Sequence, residues 1–189
     1  AYVIVRILTG GDSSKQGSGN IGAMNSYEST GKKWIGIIVL ILDAGKGVLA
    51  VYAARLLTDG DLYSCCMALL AVIFGHNFSV FLKFRGGRGL ATAAGAFAML
   101  NPLVLFLWAV MWVTGFFAIK RNVHVGNVAG TIGAPILLFA APDYALYELQ
   151  TMYYYDLEEF RIFTVLACFI ILVRHIQPMW RLIVYKEEV

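Results

Sequence analysis

The chain has 189 residues, of which 59% are hydrophobic and 14% charged, with a net charge of +3 and a mean hydropathy of +0.70. Soluble domains carry about 25% charged residues, so a globule of this composition has too little polar surface to face water, and the bilayer is its natural solvent. The small positive charge is the remainder of a side-to-side asymmetry, which argues against a nucleic-acid partner.

In chain order, Ala1 to Leu8 is apolar but too short to cross a hydrocarbon core of about 30 Å. It reads as the end of a helix whose start lies ahead of this sequence, and Arg6 within it argues against a signal peptide. A polar stretch follows, GSGNIGAMNSYESTGKK over residues 17–33. Trp34 to Leu57 is apolar apart from Asp43, Lys46 and the closing Arg55, and at ~1.5 Å rise per residue it spans the core. Leu62 to Leu82, Leu103 to Ile119, Val123 to Ala141 and Phe160 to Val173 are further spans. Gly89 to Leu100 is short and rich in Ala and Gly, either a half-buried helix or a closely packed span. The sequence therefore predicts an all-α fold: a polytopic membrane helix bundle of about seven helices with the first truncated, and residues 1–189 forming a single membrane-embedded domain.

Charge orders these helices. Arg6, Lys15, Lys32, Lys33, Lys83, Arg85, Arg88, Lys120, Arg121, Arg174, Arg181 and Lys186 are twelve of the 15 basic residues, and all fall on alternate connections. Asp59, Asp61, Asp143, Glu148, Asp156, Glu158 and Glu159 occupy the opposite ones. By the positive-inside rule the basic side is cytoplasmic. The alternation closes only if Gly89 to Leu100 crosses and turns at Asn101-Pro102. Tyr153-Tyr154-Tyr155 on the outer side reads as an interfacial aromatic belt.

GSGNIG satisfies the G-x-G-x-x-G dinucleotide pattern, but that pattern needs a preceding strand, a helix opening at the last glycines and an acid at the end of the next strand. Here a polar stretch follows Gly22 and Asp43 lies inside a span, so the dinucleotide reading fails. FRGGRG, residues 84–89, has a sharper reading. Backbone N–H groups of Gly86, Gly87 and Gly89, the guanidinium groups of Arg85 and Arg88, and a helix start could converge on one anion; a flexible positive-inside loop is the plainer reading. GSGNIGAMN, KFRGGRG and RHIQPMWR share one membrane face, where they can assemble a basic site for a substrate with an anionic head and an apolar tail. Asp43 and Lys46 lie three residues apart on one helix face, most simply as a structural ion pair. His76, His124 and His175 are each a candidate base or phosphate donor. No metal-ligand spacing is present, and Cys65, Cys66 and Cys168 read as small buried hydrophobes.

GSGNIGAMN with GKK, then LDAGKG, GHNFSVFLKFRGGRGLATAAG, KRNV and RHIQPMWRL resemble, in that order from Tyr2 to about Leu182, the bacterial acyl-phosphate:glycerol-3-phosphate acyltransferase family. The resemblance implies a seven-helix, multi-pass enzyme of the inner membrane with its active site on the cytoplasmic face. It implies transfer of a fatty acyl group from acyl phosphate to the sn-1 hydroxyl of glycerol 3-phosphate, giving lysophosphatidic acid and phosphate in phospholipid biosynthesis. No metal or redox cofactor is implied, and the partners are the two substrates and membrane lipid. By residue, it implies catalytic roles for Ser18 and His175, and substrate binding by Asn20, Asn25, Lys46, His76, Arg85, Gly86, Gly87, Arg88 and Gly89. Asp43 also matches a family position.

Four departures fall mainly on the acceptor side. Glu28 stands where the family usually has a phosphate-binding arginine, Arg88 where it has a lysine, His124 where it commonly has a serine, and Pro178 where it has an asparagine. Lys32, four residues beyond Glu28, is expected to pair with that acid if the two share a helix. The alternatives are a transport or lipid-binding protein that keeps the anion site, and an acyltransferase with a different acceptor.

Overall fold

The structure, a computed structural model, describes residues 1–152 and 156–184; the Tyr153-Tyr154-Tyr155 belt and Lys186 lie outside the described residues. The described chain is helical, with no strand. Its helices are α1 (Tyr2–Thr9), α2 (Ala23–Thr30), α3 (Lys33–Leu57), α4 (Leu62–Asn77), α5 (Leu90–Leu100), α6 (Leu103–Ala118), α7 (Val123–Ala140), α8 (Asp143–Glu148), α9 (Leu157–Val173) and α10 (Ile176–Val184), with a 3-10 turn at Val80–Leu82. The apolar runs became the long helices with ends shifted by a few residues, except Leu62 to Leu82, where α4 stops at Asn77 and a 3-10 turn follows at Val80–Leu82. Helix α3, the stretch Leu62–Leu82 and α7 are long and apolar enough to cross a membrane, while α9 and α10 form one bent pair at 50°.

Helices α5 and α6 are shorter. The 11 residues of α5 rise only about 16 Å, yet its two ends meet opposite ends of the bundle. At its start, Gly89 abuts Asn77 at the end of α4. At its finish, Asn101 Nδ2 donates to Leu146 O at 2.9 Å and Thr151 N donates to Leu100 O at 3.2 Å. The connection between α8 and α9 thus packs against the end of this short helix.

The core lies between α4, α5 and α9, where Cys65, Cys66, Leu69, Ile73, Ala96, Leu100, Phe160 and Ala167 are buried. Ile37, Ile41, Leu49 and Leu56 of α3 are exposed on its outer surface, the pattern expected where the solvent is lipid. Small residues set the closest contacts. A Cβ on Gly47 of α3 would overlap Thr92 O of α5, and one on Gly95 of α5 would overlap Ala44 O of α3. Gly126 and Gly130 of α7 receive the rings of Trp112 and Trp108 from α6, whose indole nitrogens donate to Asn127 Oδ1 at 2.8 Å and Thr131 Oγ1 at 3.2 Å.

Two local expectations are corrected. Residues after Gly22 form helix α2, with Gly22 as its N-cap, so the dinucleotide reading fails on the missing strands and not on a missing helix. Helix α2 then stops at Gly31 in the left-handed conformation (φ 67), a conformation glycine adopts without a Cβ penalty. Lys32 becomes the N-cap of α3, off the helix that carries Glu28, and among the described residues Glu28 makes no ion pair with it.

Candidate active site

The first polar segment is tied by Asn25, which is 1% exposed. Its Oδ1 accepts from Ser18 N at 2.9 Å and from Ser18 Oγ at 3.3 Å, and its Nδ2 donates to Ser13 O at 2.9 Å. Asn25 therefore stands behind the loop and holds Ser18 forward; Ser18 itself is exposed and Asn20 half-buried.

The FRGGRG loop is fixed by the end of α4. The last carbonyls of a helix lack intrahelical donors, and here Gly87 N donates to His76 O at 3.0 Å and Gly86 N to Asn77 O at 3.2 Å. The carbonyls of the same two glycines accept from Arg174, Nη2 to Gly86 O at 2.9 Å and Nε to Gly87 O at 3.1 Å. A Cβ on Gly86 would overlap His76 O, and one on Gly87 would overlap the His76 ring and Ile21 O. These two N–H groups are thus engaged by protein; the glycines serve close approach. Lys83 and Phe84, entering the loop, both have positive φ (51 and 62). Gly89, at φ 83, caps α5, whose first turn has no side-chain cap.

On one side of the loop lies a cavity of about 510 Å³ lined by Asp43, Lys46, His76, Phe81, Gly86 and Gly87, together with the start of α1. Lys46 Nζ donates to Asp43 Oδ1 at 2.8 Å and also to His76 Nδ1. An ammonium has no acceptor capacity, so Nδ1 of His76 carries the lone pair and Nε2 carries the proton. That Nε2 faces Gly87. The pair expected as a simple structural link is thus a three-member chain that fixes the histidine's tautomer.

On the other side lies a narrow cleft of about 20 Å³ lined by Ser18, Arg88, Gln177, Pro178 and Arg181. Arg88 Nη1 lies 3.2 Å from His124 Nδ1, which must accept because guanidinium only donates. His124 is placed by its helix start: Asn122 Oδ1 accepts from His124 N at 2.8 Å and Val125 N at 3.2 Å. Burial, then the neighbouring Arg174 and Arg181, push the Arg88 guanidinium down to about 10 while Glu28 opposes them. It stays charged at neutral pH. His175 is 1% exposed; its Nδ1 donates to Ile171 O at 2.9 Å, leaving Nε2 as the lone-pair atom of the neutral ring. That Nε2 is buried without a hydrogen-bond partner among the described residues.

The fold therefore brings Ser18, Arg88 and the helix end bearing His175 to one side of the loop, and Lys46 and His76 to the other, with Gly86 and Gly87 between. Arg85 is exposed and joins neither cluster. The sequence reading did not single out Arg174 as the clamp on the glycine loop or Arg181 as a wall of the cleft; the only signal was their place in RHIQPMWRL, on the basic face.

The model of the family described as "Glycerol-3-phosphate acyltransferase" matches residues 1–184. Among curated relatives, glycerol-3-phosphate acyltransferase 2 of Moorella thermoacetica is 42% identical over 138 residues, covering 73% of this chain and 69% of that protein. The glycerol-3-phosphate acyltransferase of Thermus thermophilus is 39% identical over 154 residues, covering 81% and 75%. Two crystal forms of PlsY (YgiH), an integral membrane glycerol 3-phosphate acyltransferase, share the fold at 28% identity. Its glycerol 3-phosphate form superposes with a TM-score of 0.76, covering 98% of this chain and 90% of that one. Its lysophosphatidic acid form gives 0.73, covering 98% and 89%.

Proposed function

Because the chain belongs to the glycerol-3-phosphate acyltransferase family, we propose that it moves a fatty acyl group from acyl phosphate to the sn-1 hydroxyl of glycerol 3-phosphate. The products are lysophosphatidic acid and inorganic phosphate. The acceptor oxygen forms a bond to the acyl carbonyl carbon, the bond from that carbon to the phosphate oxygen breaks, and the hydroxyl proton leaves with the phosphate. Phosphate is already a good leaving group. The protein's task is to bring two anions together and offset their repulsion.

The observation that carries this reading is the pairing of two clusters across one rigid glycine loop. On the cavity side, Lys46 and the Nε2–H of His76 offer positive charge and a donor beside Gly86 and Gly87, where the acyl phosphate's head would lie, and apolar residues of α1 line the same space. On the cleft side, Ser18 and Arg88 receive the acceptor phosphate with Asn20 nearby in the same loop, and Asn25 positions Ser18. His175 is the candidate catalytic histidine; its Nε2 lone pair is buried without a partner among the described residues, so it meets the acceptor hydroxyl only where bound substrate uncovers it. Gly89 opens α5 so that its first-turn N–H groups add to the positive field.

The whole chain, residues 1–189, acts as one membrane-embedded domain, with its site on the cytoplasmic face of the inner membrane. Supporting this, Lys33, Arg88, Arg121, Arg174 and Arg181 lie at the helix ends that surround the site, the side the positive-inside rule assigns to the cytoplasm. The test is direct. Purified protein given acyl phosphate and glycerol 3-phosphate should release phosphate and lysophosphatidic acid in equal amounts; phosphate release that needs no polyol acceptor overturns the transferase reading.

A further inference from the structure

Helix α9 does not end as a regular α-helix. Its last turn tightens, with Arg174 N donating to Ile171 O at 3.0 Å and His175 N to Leu172 O at 2.8 Å, each three residues back. Such a turn leaves the carbonyl before it, Ile170 O, without a well-aligned main-chain donor. Asn77, at the end of α4 and 93 positions away, supplies one: its Nδ2 donates to Ile170 O at 3.2 Å. A carbonyl only accepts, so the amide nitrogen is the atom that faces it.

Asn77 is 0% exposed, and its main chain is tied to the same region as its side chain. Its own carbonyl accepts from Gly86 N at 3.2 Å. Arg174, which closes α9, donates to the carbonyls of Gly86 and Gly87, and His175 Nδ1 donates to Ile171 O. The bonds therefore form a closed circuit: from the Asn77 side chain to the end of α9, along that turn to Arg174, from Arg174 to Gly86, and from Gly86 back to Asn77. The Asn77 Oδ1 lies against Gly89, where an added Cβ would stand 2.7 Å away, so the amide fits only beside glycine.

We propose that Asn77 is a positioning residue: by satisfying Ile170 O it keeps the end of α9 in its tight turn, which sets Arg174 on the glycine loop and His175 beside it. This deepens the proposed function and rests on it for the identity of the substrates. The competing turn is one in which Arg174 N returns to Ile170 O, the bond a regular helix makes. That turn rotates residue 174 about the helix axis and withdraws its guanidinium from Gly86 and Gly87. Which turn forms depends on what serves Ile170 O, because a buried carbonyl left without a donor is costly. Asn77 lines neither the cavity nor the cleft; it acts through Arg174 and His175.

Hydrogen exchange of the Gly86 and Gly87 amides in the detergent-solubilised protein tests the link without turnover, and steady-state kinetics test its consequence. Asn77→Leu keeps the volume and removes the donor; Asn77→Ala is the second variant should the branched side chain hinder folding. Exchange at the two loop amides should rise about 10-fold, while that of α6, which lies outside the circuit, stays as in wild type. The kcat should fall about 10- to 100-fold, with the KM for glycerol 3-phosphate within about twofold of wild type. Arg174→Gln should act alike, and the double variant should lose little more than either alone. Unchanged loop exchange, an unchanged kcat, or exchange raised equally throughout the bundle overturns the positioning role, and so does full additivity with Arg174→Gln. If the exchange pattern appears but wild-type protein transfers no acyl group, the hold of Asn77 on the loop stands and the transferase reading falls.

Discussion

In the proposed reading the two sides of the glycine loop each hold an anion, by opposite means. On the cavity side the parts are locked: the Gly86 and Gly87 amides are bonded to α4, their carbonyls to Arg174, and His76 is held by Lys46 and Asp43. On the cleft side the parts are charged side chains, walled by helix α10, which meets α9 at a 50° bend. A site whose backbone is this crowded tolerates little change in sequence. One built from side chains can be retuned residue by residue, and the departures at Glu28, Arg88, His124 and Pro178 lie on or beside that second side.

Substitutions can break or sharpen this contrast. The largest effect is expected from Gly86→Val, whose Cβ would meet the fixed His76 carbonyl. Displacing the loop by about 1 Å should lower kcat about 100-fold, measured by phosphate release; a near-normal kcat would mean the cavity side is not rigid. Next is Lys46→Met, which frees His76 to rotate. A charge-assisted hydrogen bond is worth about 1.5–3 kcal/mol, so kcat/KM for acyl phosphate should fall about 10- to 100-fold while acceptor KM changes less than about twofold. Equal losses for both substrates would erase the distinction between the sides.

Asn25→Ala should raise the acceptor KM about fivefold with little effect on the donor, because the Ser18 loop loses hydrogen bonds worth about 1 kcal/mol each. Glu28→Arg is the mildest. Glu28 is exposed, and exchanging its charge should lower the acceptor KM about threefold at low salt and hardly at all at high salt. A neutral or harmful result at low salt would give Glu28 a role of its own.

The sequence read well where one physical signal dominated. Continuous apolar runs gave α3, α6, α7 and α9, and the Ala- and Gly-rich run Gly89 to Leu100 gave the short helix α5, which meets Asn77 at one end and Leu146 and Thr151 near the other. Helix α2 carries no apolar stripe. It is held by glycines at both ends and by Ser26, Ser29 and Thr30 bonding back to carbonyls four residues earlier. Helix α10 contains Pro178, which looks like a breaker but sits in the first turn, where a missing N–H costs nothing. The engagement of the Gly86 and Gly87 amides was illegible, because composition says where donors are and not whether something already holds them. Arg174 and Gly86 are 88 positions apart, beyond any local pattern.

That last link also bears on how the molecule is made. A chain emerges from synthesis N-terminus first, so α4 and the glycine loop are complete long before Arg174 exists. Until α9 is inserted and its closing arginine reaches back, the loop lacks the second half of its support. A fragment ending before Arg174 would carry both glycines and most of the charged residues, yet would hold no finished site. The two halves of the loop's support are joined only when α9 and its closing Arg174 are in place, and that arginine acts as the keystone.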